Sequence, residues 1–380
     1  TNNSKAFIDS VFNLIITAEK IESNGFVIND FKFSNKVNQN RLSSTIQWND
    51  MDSNKYGELE LITDFYSMDS ITLHFEKCSI YEESSGEWQL ANKSQLTYNK
   101  GRFELDEFAI KNGLQQLLLN GIIGKNKDDH LLVGIEEVKL AELTNLLGTN
   151  QDSAVVQGVI NANIKLSSLL SNPEFLADLL INEVTVKKAK IGQLHFLTSW
   201  DKINRRVAIN GGLMNENRLE EIVINNGFYY PSRSDQDKLE ASIDFDKFDI
   251  DFLSSFLPQD YLNDLQGHMS GSLDVKGSWS KPLFSGALSL ADGAIQLKEF
   301  NTKYTFGGPV NVSPNQIEII GIPFYDKNHS KGEMSVYYNH SNFVDYSFNL
   351  VGVFKDPFLL MNNQFNHNPL YYGDAYITGY

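Results

Sequence analysis

Apolar side chains recur at every second position over long stretches of the chain. Val207, Ile209, Gly211 and Leu213 form one such run, Leu239, Ala241, Ile243 and Phe245 the next. Met269, Gly271, Leu273 and Val275 repeat the pattern, as do Phe348, Leu350, Gly352 and Phe354. Alternation of period two places successive side chains on opposite faces of an extended strand, so these segments predict half-buried β-strands. Turn formers separate them: Asn225, Asn226 and Gly227; Pro231 and Ser232; Asp326, Lys327 and Asn328; Asn362 and Asn363. The chain carries 39 asparagines, which suits a polypeptide that must turn every ten or so residues.

Helical spacing is rare. Residues 136–147 place Leu140, Leu143 and Leu147 on one helical face and end before Gly148, so a short helix is predicted there. Residues 249–265 read as two short helical turns split by Pro258. The first 35 residues fit either period, and Phe12, Leu14 and Ile16 favour strand. An internal repeat organises the rest. At an offset of 109, Gly158 falls on Gly267, Ile164 on Leu273, Leu166 on Val275, Pro173 on Pro282, Ala177 on Gly286 and Ile181 on Leu290. Both copies read as strand, proline-containing turn, strand. The expected organisation is an N-terminal part over 1–150 with strands and one short helix, a first β-repeat unit over 151–260, and a second over 261–380 continuous with it.

Composition narrows the function. With 48 acidic and 32 basic residues the net charge is −16, which argues against nucleic acid as a partner, because that binding needs Lys and Arg to displace counterions. At 41% hydrophobic the chain can bury a core and is not an acidic disordered tail. A single cysteine, Cys78, excludes an intrachain disulfide and a multi-thiolate metal site. No apolar run reaches the roughly 20 residues that span a bilayer. The chain starts at Thr1 without a signal segment and reads as an internal piece of something longer.

No catalytic pattern stands out, and the expectation is a protein without enzymatic activity, cofactor or metal. There is no dinucleotide fingerprint, nucleophile elbow or zinc-protease motif, and the stretch from Gly121 to Lys125 is too short for a phosphate loop. Asp128, Asp129 and His130 are adjacent ligand types, but a solvated turn is the simpler account. Asp326 and Asn328 lack the further carboxylates of a calcium loop, so turn chemistry is expected there too. Asp244 and Asp246 alternate with Ile243 and Phe245, which puts them on the polar face rather than in a paired-carboxylate site. What remains is the apolar row. In a long sheet without helices to cover it, that row packs on another sheet, closes on itself, or stays open as a groove.

Several residues carry a family likeness. Gly271, Leu273, Val275 and Gly277 are followed by Pro282 and Gly286; Tyr304, Phe306 and Gly307 follow, then Ile317 to Asp326 leading into Gly332; then His340, Phe343 and Asp345, and Met361 leading to Tyr371, Gly373 and Gly379. In these features the segment from Gly267 onward resembles the periplasmic TamB proteins of Bacteroidetes-type bacteria, in the AsmA-like group; upstream, Trp88 to Leu90, Leu119 to Gly121, Asn225 to Tyr230 and Phe248 to Phe256 are similar. The resemblance implies an all-β fold, a long twisted, mostly antiparallel sheet curled into an open taco-like groove with an apolar interior. It implies a periplasmic protein anchored in the inner membrane, with a TamA-like outer-membrane barrel as partner, each engaged through segments lying outside this sequence. Phospholipid acyl chains would then ride on the apolar row, and the expected lining is Val207, Ile209, Leu239, Ile243, Phe245, Leu273, Val275, Leu288, Leu290, Phe348 and Leu350. Two alternatives remain: a scaffold that pairs strands during outer-membrane protein assembly, and an extracellular carbohydrate-binding or adhesin-type repeat protein with platforms at Trp48, Trp88, Trp200 and Trp279.

Overall fold

The computed structural model describes residues 11–23, 26–50, 55–83, 85–142, 156–186, 189–215, 220–234, 237–256, 262–297, 302–341, 345–362 and 373–379. The chain is all-β, antiparallel wherever register is defined, and almost without helix. It forms two compact units, Thr1–Asn182 and Glu183–Tyr380.

The first unit holds β1 (Val11–Ser23), β2 (Phe26–Asn38), β3 (Arg41–Asp50), β4 (Lys55–Ser67), β5 (Ser70–Glu82), β6 (Gly86–Leu90), β7 (Ser94–Asn99), β8 (Arg102–Asn112), β9 (Gln115–Ile123), β10 (His130–Lys139) and β11 (Val156–Ser167), and most of β12 (Glu174–Val186). Each of β1 to β4 pairs with its successor. β6 and β7 together occupy one strand position, since both pair with β5 and both with β8. The order then continues through β9 and β10 to β11.

The second unit holds β13 (Ala189–Asp201), β14 (Arg206–Met214), β15 (Glu220–Tyr229), β16 (Leu239–Asp249), a 3-10 helix (Asp251–Phe256), β17 (Leu262–Gly277), β18 (Pro282–Leu297), β19 (Thr302–Ser313), β20 (Gln316–Tyr325), β21 (Lys331–Ser341), β22 (Asp345–Asn362) and β23 (Asp374–Gly379). From β13 to β23 every strand pairs with the next. The two segments related by the offset of 109 are both strand, turn, strand: β11 with β12, and β17 with β18. Pro282 opens β18, and Pro173 immediately precedes β12, positions where a missing amide costs no ladder bond.

A recurrent β-bulge interrupts the ladders. Register slips by one residue between Leu105 and Phe108, Ile135 and Val138, Phe245 and Phe248, and Leu290 and Gly293. Each slip contains a residue with positive φ: Glu107 at 40°, Glu137 at 52°, Lys247 at 51° and Asp292 at 52°. The bulge amide leaves the ladder and needs another acceptor. The Glu107 amide donates to Asn120 Oδ1 at 3.3 Å, the Glu137 amide to Asn161 Oδ1 at 3.1 Å, and the Lys247 amide to Ser270 Oγ at 2.9 Å. Asparagine is therefore spent within strands as well as in turns. Because each bulge bends its strand and adds twist, the repetition builds curvature into both units.

Three expectations are corrected. The helix predicted over 136–147 is strand as far as Lys139, and only residues 140–142 are helical; the remainder lies outside the described residues. Burial of Glu142, which accepts from Gln115 Nε2 at 2.8 Å, ties that turn to the start of β9. Of the two helical turns expected over 249–265, the first is the 3-10 helix, whereas Leu262 to Leu265 already belong to β17. Asp129 is not solvated: it is buried and held by Arg102 Nε at 3.0 Å and by the Asn126 amide at 3.1 Å.

Candidate functional site

Directly opposed residues in an antiparallel pair share a face, so register identifies what each face carries. In the second unit, Phe196 of β13 stands opposite Gly211, Gly211 opposite Ile224, and Ile224 opposite Ile243. The row continues through Leu273, Gly286, Val312 and Ile317 to Tyr338, with Phe348 at the next register position. One apolar row thus crosses ten successive strands. A parallel row runs through Leu213, Ile222, Phe245, Gly271, Leu288 and Val310.

Glycines on these rows give leucines their place. Gly271 and Gly286 have φ of 133° and 153°, and a Cβ on either would strike the facing strand's backbone, beside Leu288 and Leu273 respectively. Leu273, Leu288 and Val310 form the buried centre, with Phe245, Met269, Phe284 and Leu290 packed around it.

All eleven residues expected to line a groove sit on this one face by register. Val207 lies opposite Tyr229, Ile209 opposite Gly227, Leu239 opposite Gly277, Val275 opposite Phe284, Leu290 opposite Gly308 and Leu350 opposite Val336. Leu273, Val275 and Leu288 are buried; Val207, Ile209, Leu239, Ile243, Phe245 and Leu290 are half-buried; Leu350 is 57% exposed. The Phe348 side chain lies outside the described ones. Asp244 takes the opposite face, where Ser272 and Asn225 donate to it. Its carboxylate belongs to a polar cross-strand ladder.

The first unit carries a matching row that the sequence reading did not single out. Val37, Leu42, Thr63, Leu73 and Leu96 oppose one another across β2, β3, β4, β5 and β7. Leu105, Gly121, Leu131 and Leu166 extend it through β8 to β11. Cys78 lies on this face opposite Leu59; burial pushes its thiol above the usual range, so little reactive thiolate forms. A polar cleft of about 540 Å³ beside it is lined by Glu58, Glu76, Lys77 and Lys93, whose charges pair as Lys77 with Glu58 and Lys93 with Glu76.

In the second unit the two ends of the apolar face differ. At the end where β16 stops, the 3-10 helix lays Phe252 on buried Phe248, ring centroids 5.3 Å apart. At the same end β22 leaves β21 after Val353 and pairs with β23 instead, carrying Phe358 onto Tyr304 and Phe324 at 5.8 and 5.7 Å. Phe358 and Leu359 are 1% and 0% exposed. Asp326 anchors the crossing: its carboxylate accepts from the amides of Asn328 at 2.8 Å, Ser330 at 2.9 Å and Leu359 at 2.7 Å. The Tyr304 hydroxyl donates to the Leu360 carbonyl at 2.6 Å, and burial, with the nearby Asp326 charge adding, pushes its pKa up to about 12. It remains a donor at any physiological pH. The other end of the face has no such cover among the described residues.

The closed end is acidic. Burial raises the Asp251 carboxyl to about 6, and Asp249 and Asp264 add to the shift. A folded-state pKa above the ordinary 3.8 means that the folded protein holds the proton more tightly. Stability from this group is fully present below about pH 3.8 and is lost as pH rises through about 6. Asp251→Asn is therefore expected to raise stability at pH 7, by less than about 1 kcal/mol given solvent screening. The gain should vanish near pH 4, as followed by denaturant unfolding at both pH values.

Residues 10–290 match the family model described as TamB, N-terminal domain. The chain belongs to the TamB family. This family comprises translocation and assembly proteins of the cell envelope, and the chain's role is of that kind. No match was found among curated proteins or among solved structures. Among the described residues, no helix is long and apolar enough to cross a membrane, and no three His, Cys, Asp or Glu side chains are grouped to hold a metal ion.

Proposed function

We propose that the chain carries phospholipid along its apolar sheet face across the periplasm, between the inner and outer membranes, without catalysing a reaction. The observation that supports this is the apolar row through ten register-paired strands of the second unit, buried at its centre but only half-buried on either side. Burying acyl chains is worth about 0.8 kcal/mol per CH₂, so a two-tailed lipid crossing water faces a barrier on the order of 20 kcal/mol. A continuous apolar surface removes most of that barrier by contact alone. Family membership supports the inner membrane and a TamA-like outer-membrane barrel as the partners between which lipid passes.

Strand β1 supports a second reading, strand-pairing during outer-membrane protein assembly. Val11, Phe12, Leu14, Ile15 and Ile16 are all exposed, so both faces of this strand are apolar.

A photo-crosslinking amino acid at Ile243 on the apolar face, and another at Asp244 on the polar face, separates the two. Crosslinking to phospholipid in intact cells from position 243 but not 244 is the expected result. Protein adducts at 243 without lipid would overturn the lipid reading in favour of the scaffold.

A further inference from the structure

The uncovered end of the second unit's apolar face is built from the connections β13 to β14, β15 to β16 and β17 to β18, which the antiparallel order brings to one side. Segments 201–206, 230–240 and 276–282 carry seven Lys or Arg against four Asp or Glu. The segments joining the same strands at the opposite end, 214–221, 246–264 and 291–303, carry ten acidic against four basic residues. In a chain of net charge −16, these three connections together are net positive, through 201–206 and 276–282.

Two of the turns at this end are closed by their own hydrogen bonds and present exposed tips. Asp201 accepts from the Asn204 amide at 3.1 Å, Asn204 Nδ2 at 2.7 Å and Arg206 Nε at 2.9 Å, so its charge is spent inside the turn. Ile203 at the tip is 92% exposed, and Arg205 beside it is exposed. Ser278 and Lys281 close the next turn through mutual backbone hydrogen bonds and lift Trp279, 66% exposed, to its tip. The Trp279 ring lies 6.2 Å from Tyr229, which shares the apolar face with Val207 and Leu239. Arg205 and Lys281 have no acidic partner among the described residues. The apolar face therefore runs out to an aromatic lip flanked by uncompensated cations.

We propose that this lip binds the headgroups of anionic phospholipids whose acyl chains lie on the apolar face, so that the second unit prefers lipids of net negative charge. The inference rests on the lipid-carrying reading and adds a substrate class to it. Apolar surface adjoining fixed positive charge suits an amphiphile with an anionic head; a free phosphate would leave Ile203, Trp279 and Tyr229 unused. Tryptophan and tyrosine beside Lys and Arg are the side chains that settle at the boundary between acyl chains and headgroups. Each such cation favours an anionic lipid surface by roughly fivefold at ordinary ionic strength.

The experiment compares binding of fluorescent phosphatidylglycerol and phosphatidylcholine to the purified full chain. Three forms are used: unaltered, Arg205→Glu with Lys281→Glu, and Lys303→Glu with Lys327→Glu, which makes the same charge change at the closed end. All three are first matched by hydrogen exchange. The expected result is a preference for phosphatidylglycerol that falls on the order of tenfold in the first variant, weakens with salt, and survives in the second. Equal binding of both lipids by the unaltered chain, or equal loss in both variants, would overturn the headgroup inference while leaving the lipid-carrying reading in place. Binding of neither lipid would remove both.

Discussion

Phe358→Ala is expected to cost about 3–5 kcal/mol, the range for removing a fully buried aromatic ring. Phe358 is the point where β22 crosses from the main ladder onto the apolar face, and its ring meets Tyr304, Phe324 and Phe354, the last at 4.6 Å. Truncation leaves a cavity that Leu359 cannot fill, because the Leu359 amide is fixed by Asp326 at 2.7 Å. A sheet built of successive hairpins need not unfold in one step, so a single melting temperature is a poor readout. Hydrogen exchange resolves the effect: faster exchange should be confined to β19, β20, the second half of β22, and β23. Tyr376→Ala, at an exposed position of β23, should change little. Asp326→Ala should reproduce the local loosening, since it orphans three amides, each costing about 1–3 kcal/mol if it stays dry. Loosening spread evenly over the unit, or none at all, would mean that the crossing does not close this end.

Much of the fold was legible because period-two alternation survives wherever a strand is long and unbulged. The runs from Val207 to Leu213 and from Leu239 to Phe245 are such strands, and their apolar face follows directly. Bulges hide the rest. Leu105 and Phe108, or Ile135 and Val138, lie on one face although three positions separate them, because a left-handed residue between them is extruded from the ladder. The helix expected over 136–147 rested on Leu140, Leu143 and Leu147, of which only Leu140 lies among the described residues, in the helical stretch 140–142. The first unit's apolar row is hidden for a different reason. It passes through Thr63 and Gly121, neither apolar by composition, and only register shows them between leucines. The closed end was invisible too: nothing local in β22 announces that its second half leaves β21, since Phe354 and Phe358 fit a continuous strand as well as a crossing one. Trp279 shows the converse. Tryptophan is generally packed, as Trp88 is, but this one stands at a turn tip where only the register of β17 with β18 reveals its place at the mouth of the face.

Leu273→Arg should abolish lipid carriage if the apolar face is the lipid path. Leu273 is buried at the centre of the face, opposite Ile243 on one side and Gly286 on the other, in contact with the cluster of Leu288 and Val310. A guanidinium there has no carboxylate on its face to pair with among the described residues, since Asp244 and Asp274 alternate to the other side. An unpaired charge in such a site costs several kcal/mol, charged either to the local packing or to any acyl chain passing over it. Ile243→Arg, at a half-buried position on the same row, keeps the test informative should Leu273→Arg fail to fold, because its side chain can reach solvent. Asp274→Arg makes a comparable or larger charge change at an exposed position of the polar face, where substitutions usually stay within about 0.5 kcal/mol. Each variant is placed in the intact protein in cells, and envelope integrity, co-purifying phospholipid and protein abundance are measured together. At equal abundance, loss of lipid and of integrity in Ile243→Arg but not in Asp274→Arg is the expected outcome. Equal behaviour of inward and outward substitutions would show that the face is simply a core, and that lipid, if carried at all, travels elsewhere.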